Sequence, residues 1–292
     1  MCKNGQGKAR EYQLSQLWLL EQFDSVAKEL GLQSYLVYGT LIGAVRHKGF
    51  IPWDGDIDIA MHREDYEKLR KYFIAQPIDY LFYDCYETEE YHISPHDILR
   101  INGTHVFFKD MHSCKYVPSH DGIYIDIFPI DSLTDDEKKI SKQVKAFSFT
   151  MRLILFKAAL TYGARTSKMK TLEKKIVSDL LWCISFKTLN RHLDRIMKRY
   201  SMQKTPNVVI MTDPAIKKRT FPSSCLQKPL FMEFERKSFP VPTNPKEFLS
   251  IHYSDFMTLP PEEERWSYVE NELEDVDFGN NPSLLKYIEE NK

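Results

Sequence analysis

Asp54, Asp56 and Asp58 recur at every second position of GFIPWDGDIDIAM (49–61), while Ile51, Trp53, Ile57, Ile59 and Met61 take the opposite parity. Side chains alternate faces along a strand, so the stretch predicts a strand with an apolar floor and an acidic face. Carboxylates two residues apart on one face converge on hard divalent cations, Mg²⁺ or Mn²⁺. A further acid lies in GIYIDIFPID (122–131), where Asp126 shares parity with Tyr124 and Phe128 and Ile123, Ile125 and Ile127 face the other way. An acid buried in an apolar strand is costly without a charge partner. A metal shared with Asp56 and Asp58 supplies one, and a salt bridge to a basic helix is the alternative. The expected centre is therefore Asp56, Asp58 and Asp126, as catalytic residues and metal ligands. Asp54 is a fourth ligand or an outer neighbour, and Asp126 is a ligand or a general base.

Substrate contacts are expected around this centre. Gly39-Thr40 stands at a predicted strand-to-helix turn, where backbone N–H groups and the Thr40 hydroxyl can hold a phosphate. Arg46, His47 and Lys48 precede the acidic strand. Arg46 suits a bidentate phosphate contact and Lys48 a point charge, with plain surface charge as the competing reading. His47 is disfavoured as a ligand because hard cations prefer oxygen. Trp53 and Tyr38 offer faces to a base or a quaternary ammonium, or simply pack in the core. An EF-hand reading of Asp54, Asp56 and Asp58 fails, because the sixth loop position is Ile59 and the twelfth Asp65.

The elements that must position these residues follow from hydrophobic periodicity. Leu14, Leu17, Leu20, Phe23, Ala27 and Leu30 predict an amphipathic helix over 10–30, stopped by Gly31. YLVYGT (35–40) predicts a short strand, LIGAVRH a helix, 56–61 the acidic strand, and HREDYEKLRKYF a helix. Further strands are expected at 97–102, 105–109 and 122–128, giving an α/β (α+β) sheet domain over 1–133. TDDE then predicts a capping box between Thr134 and Glu137, opening a helical segment over 134–204 with an apolar stripe of Leu189, Leu193, Ile196 and Tyr200. Residues 205–292 read as a loop-rich region that packs back on the core and completes the site. Its helices start at Asn244-Pro245 and Asn281-Pro282.

Composition bounds the class of protein. Of 292 residues, 42% are apolar and 28% charged, as in ordinary globular chains. No apolar run is long enough for a membrane span, and the first residues carry no signal-peptide core. Five dispersed cysteines read as buried free thiols in a reducing compartment. A cytoplasmic protein is expected. The net charge of −1 hides a block at 138–204 with 17 basic side chains against three acidic ones (net +14). Such a block points to an anionic partner surface, and peripheral, salt-sensitive contact with the inner face of the plasma membrane is the expectation. The apolar stripes Met151–Phe156 and Leu180–Phe186 read as core. No nucleic-acid partner is expected.

A Gly-Thr turn, a D-x-D strand and a third Asp on a later strand follow the residue logic of the nucleotidyltransferase superfamily. Within it, YGTLIGAVRHKGFIPWDGDIDIAM (38–61), YIDIFPID (124–131) and FPVPTNPKEFLSIHYSDFMTLPPEEER (239–265) resemble the LicD family, which includes bacterial phosphocholine transferases and the fukutin-related animal proteins. Members commonly carry Tyr-Gly-Asp-Tyr-Met where this chain has Tyr253-Ser254-Asp255-Phe256-Met257. The resemblance implies a nucleotidyltransferase-like mixed sheet flanked by helices. It also implies a CDP-activated donor, typically CDP-choline, and transfer of phosphocholine to a sugar hydroxyl of a glycan or lipid-linked glycan (teichoic acid, lipopolysaccharide or capsule) with release of CMP. CDP-ribitol and CDP-glycerol are chemically close donors. A D-x-D sugar-nucleotide glycosyltransferase is the rival class, but it leaves Gly39-Thr40 unexplained.

Overall fold

The computed structural model describes residues 7–108, 120–161, 181, 183–203, 205–212, 220–253, 255–262, 265 and 273–292. A mixed sheet carries the architecture. Its strands run in the order β1 (Tyr35–Leu36), β2 (Asp58–His62), β6 (Tyr124–Ser132), β4 (Asp97–Ile101) and β3 (Leu81–Asp84). Among the described strands only β2 and β6 pair in parallel. Nine-residue β6 is long enough to change partners, pairing with β4 over its first half and with β7 (Asn207–Ile210) near its end. β7 in turn pairs with β8 (Thr220–Pro222). The region expected to be loop-rich thus adds two strands to the central sheet. It also builds the hairpin β9 (Leu230–Phe234) and β10 (Lys237–Val241), and lays β11 (Leu273–Asp277) along β5 (His105–Phe108).

Helices cover the sheet. α1 (Lys8–Glu29) ends where Gly31 takes a left-handed φ of 64°, a conformation that suits a residue without Cβ. It is not amphipathic in its first half. Every residue from Tyr12 to Leu20 is buried, because α1 lies between the sheet and the C-terminal β11 and α7 (Pro282–Asn291). α2 (Tyr38–Arg46) and α3 (Arg63–Ala75) follow β1 and β2 directly. Both expected Asn-Pro starts are real: Asn244 caps α6 (Pro245–His252) and Asn281 caps α7, each through its side-chain oxygen.

At the expected Thr134–Glu137 helix start, Thr134 Oγ1 accepts the Asp136 N–H at 3.4 Å. Asp136 caps the first turn of α4 (Glu137–Thr161), accepting the Lys138 and Lys139 N–H groups at 2.9 and 3.2 Å, and a carboxylate is favoured at a helix N-terminus. α4 packs on α5 (Phe186–Met197) around a second core of Ile140, Phe147, Ile154, Leu189, Leu193 and Ile196, closed by Val209 and Met211. Tyr200 stays outside this core. In the Met151–Phe156 stripe only Ile154 is fully buried, and Leu155 is half exposed. In the Leu180–Phe186 stripe Leu181 and Phe186 are buried as core, whereas Cys183 and Ile184 are exposed; Leu180, Trp182, Lys168, Lys170, Lys174 and Lys175 lie outside the described residues.

An ion network ties the two cores together. Arg63 of α3 binds buried Asp131 of β6 with two nitrogens and reaches Asp194 of α5 at 2.8 Å. Lys198 pairs with Glu67 and Asp194, so part of the basic block is spent internally. Cys85 and Cys225 are buried as expected, but Cys183 is exposed. Among the described residues no helix is long and apolar enough to cross a membrane.

Candidate active site

The acidic stretch is less of a strand than its alternation suggests. β2 begins only at Asp58, and Asp54 and Asp56 lie on the loop that leads into it. A turn forms there because Asp54 N–H donates to Ile51 O at 2.9 Å and the Asp54 carboxylate accepts Gly55 N–H, the local bonding that Asp and Gly favour. The carboxylates converge all the same. Parallel pairing sets Asp58 opposite Asp126, and the Asp126 N–H donates to Ile57 O at 2.9 Å. One oxygen each from Asp56, Asp58 and Asp126 lies within 4.8 Å of the others.

The carboxylates of this cluster are buried together, and each raises the proton affinity of its neighbours. Burial, then the negative charges of Asp54 and Asp126, push the Asp56 carboxyl well above the usual carboxylate range. Burial and the charges of Asp56, Asp126 and Asp54 do the same to Asp58. Asp54 is also raised, chiefly by burial. Three converging oxygen donors can hold a divalent ion, and oxygen-only ligation suits a hard one.

The neighbours of the cluster hold it in place. Gly39 and Thr40 sit inside the first turn of α2 rather than before it. Thr40 is buried, and its hydroxyl oxygen accepts the Asp58 N–H at 2.9 Å. Gly39 backs directly on Asp54: a Cβ there would come 2.5 Å from Asp54 Oδ2. Tyr38, between β1 and Gly39, takes a left-handed φ of 48°, and its ring meets Phe128 and His252 edge-on.

One residue that sequence reasoning missed completes the surroundings. His96, one residue before β4, reaches Asp126 Oδ1 with Nε2 at 2.9 Å and packs against Phe128, ring centroids 4.2 Å apart. Nothing local marks His96, because only the pairing of β4 with β6 brings it to Asp126. Asp131, in the same block as Asp126, serves the Arg63 network rather than the cluster.

The remaining expected contacts spread along α2 and beyond it. Arg46, at the far end of the helix, donates to Phe256 O at 2.7 Å and lines a cleft of about 600 Å³ with Ile42, His252, Tyr253, Phe256 and Leu259. Burial, then nearby Arg265, lower its pKa. Asp255 caps Met257 and Thr258 N–H at 3.2 Å each, shaping the loop, while Ser254 lies outside the described residues. Trp53 receives the Arg265 guanidinium over its ring, 5.6 Å from the centroid, and meets His47 edge-on. Lys48 is exposed and pairs with Glu233 at 3.6 Å.

Adjacent parallel strands with converging carboxylates beside the first turn of a short helix are the arrangement of a nucleotidyltransferase-like protein. Residues 31–155 match the family model described as LicD/FKTN/FKRP, nucleotidyltransferase domain. Over this segment the chain is similar to the LicD family. It is 28% identical over 262 residues to the lipopolysaccharide cholinephosphotransferase LicD of Haemophilus influenzae, with 88% of this chain and 94% of that protein covered.

Proposed function

We propose that this protein moves phosphocholine from CDP-choline to a sugar hydroxyl of a cell-surface glycan precursor and releases CMP. The convergence of Asp56, Asp58 and Asp126 at paired ends of two parallel strands carries this reading, and the similarity to a cholinephosphotransferase along nearly the whole of both chains supports the donor and acceptor classes. In the reaction the acceptor hydroxyl oxygen forms a bond to the choline-bearing phosphorus. The bond from that phosphorus to the bridging oxygen breaks, and CMP leaves with the electron pair.

Asp56, Asp58 and Asp126 would hold Mg²⁺ or Mn²⁺, with Asp54 as a further ligand or the group that steadies the loop. Such an ion neutralises the diphosphate and stabilises the leaving phosphate. The chain's own contribution is positioning and electrostatics, the main requirement of phosphoryl transfer. Thr40 fixes the backbone of Asp58, and His96 orients Asp126. Asp126 is either a ligand or the base that takes the hydroxyl proton. Gly39, Arg46, Lys48 and Trp53 line the approach, with Arg46 and Trp53 now tied to the C-terminal loop and Arg265. The basic residues of 138–204 support docking at an anionic membrane surface in the cytoplasm, near lipid-linked acceptors.

A thermal-shift panel with Mg²⁺ and CDP-choline, CDP-ribitol, CDP-glycerol, CMP or UDP-sugars tests the donor. A ligand at 100 times its Kd adds about 2.7 kcal/mol, so CDP-choline should raise Tm most, and only with metal present. A larger shift with a CDP-polyol would reassign the donor, and one with a UDP-sugar would favour a glycosyltransferase. Turnover that survives excess EDTA in metal-stripped protein would sink the mechanism.

A further inference from the structure

We infer that Gln13 and Gln16 of α1 are positioning residues of the metal site, their side-chain amides setting the distance between the loop that carries Asp56 and the strand that carries Asp126. This rests on the metal-site reading above and extends it to a helix that precedes the matched family segment, residues 31–155.

Both side chains are buried, Gln13 at 1% and Gln16 at 0% exposure, in a helix turn shared with Tyr12, Leu14, Leu17 and Ser15, whose hydroxyl donates to Glu11 O. Two uncharged polar groups at such positions need a reason, because burying an amide is costly unless it is hydrogen-bonded. Their partners supply it. Gln16 Nε2 donates to Gly55 O and to Tyr124 O, both at 3.0 Å. Gly55 immediately precedes Asp56, and Tyr124 is two residues from Asp126 on the same strand face. One NH₂ group therefore bridges the two chain segments that supply the ligands. Gln13 Nε2 donates to Asp54 O at 3.0 Å, so the pair engages consecutive carbonyls of the acidic loop.

The amide orientation is forced. Turned the other way, each Oε1 would face backbone carbonyl oxygens and repel them. As placed, both Oε1 atoms are buried without a hydrogen-bond partner. The donors are thus satisfied at the expense of the acceptors, the arrangement expected where the carbonyl contacts are what matters.

A matched comparison exists within the chain. Gln143 of α4 is also fully buried, donates to two carbonyls, Ile196 O and Met197 O at 2.7 and 3.1 Å, and leaves its Oε1 without a partner. It belongs to the second core, away from the carboxylates. Loss of either glutamine removes the same bonds, so a difference between them isolates position from stability.

The test is Mn²⁺ titration of the full chain, followed by electron paramagnetic resonance, with Tm measured alongside. Gln16→Met should weaken Mn²⁺ binding by about tenfold or more, the size of effect usual for groups that orient metal ligands. Gln143→Met should lower Tm yet leave Mn²⁺ affinity unchanged. Unaltered affinity in folded Gln16→Met, or an equal loss in Gln143→Met, overturns the inference. If Gln16→Met does not fold, Gln13→Met, which gives up a single bond, decides: weaker Mn²⁺ binding upholds it and wild-type affinity ends it. A wild-type chain that fails to bind Mn²⁺ would instead remove the metal-site reading, and the inference with it.

Discussion

Gly39 and Asp54 share one space: the hydrogen that stands in for a side chain at Gly39 is what admits the Asp54 carboxylate against the first turn of α2. A Cβ 2.5 Å from Oδ2 is well inside van der Waals contact, so a methyl group must drive Asp54 away or displace the helix. Asp54 is held by Gly55 N–H and its own turn, and moving it disturbs Asp56 two residues on. Gly39→Ala should therefore cut turnover by about tenfold or more, about 1.4 kcal/mol at the transition state. Steady-state kinetics beside a melting curve checks this; wild-type turnover would show that Asp54 is free to swing aside.

Asp56→Asn and Asp58→Asn should abolish transfer while the protein stays folded. Each removes one charge from a cluster whose members raise one another's pKa, so metal-free Tm should stay level or rise. Near-normal Mg²⁺-dependent turnover in either variant would end the ligand assignment.

The same shifts give a pH dependence. A carboxyl whose folded pKa lies above its unfolded value binds its proton more tightly in the native state, so its stabilising effect is complete at low pH. That effect is lost as pH rises from about 4 through the raised value. Metal binding requires the deprotonated form and so runs the other way. The gain in Tm on adding Mg²⁺ should grow as pH rises above the ordinary carboxylate range of about 4. A gain that is flat or falls with pH would contradict the raised carboxyls of Asp56 and Asp58.

His96→Ala should lower kcat or metal affinity by roughly 10- to 100-fold with little change in fold, as for other partners of ligating groups. Mn²⁺ affinity and kcat measured together would show which of the two His96 controls through Asp126.

Arg63→Met should destabilise the protein by about 3–5 kcal/mol, because it strands the carboxylates of Asp131 and Asp194 without their cation. Denaturant unfolding measures this directly. A loss below about 1 kcal/mol would place the network among weakly coupled pairs.

What the sequence determined by itself was local and periodic. Alternation marked Asp54, Asp56, Asp58 and Asp126, and Asn-Pro pairs marked the starts of α6 and α7, because strand parity and capping depend on residues a few positions apart. Tertiary structure decided everything that needed a distant partner. It cut the acidic strand back to Asp58, since β2 extends only where β1 and β6 pair with it. It buried the polar face of α1, since β11 and α7 lie over that helix from the other end of the chain. His96 and Gln16 became neighbours of the site in the same way. A histidine before a strand and a glutamine in a helix carry no local signature, and their meaning comes from Asp126, Gly55 and Tyr124, between 30 and 108 residues away.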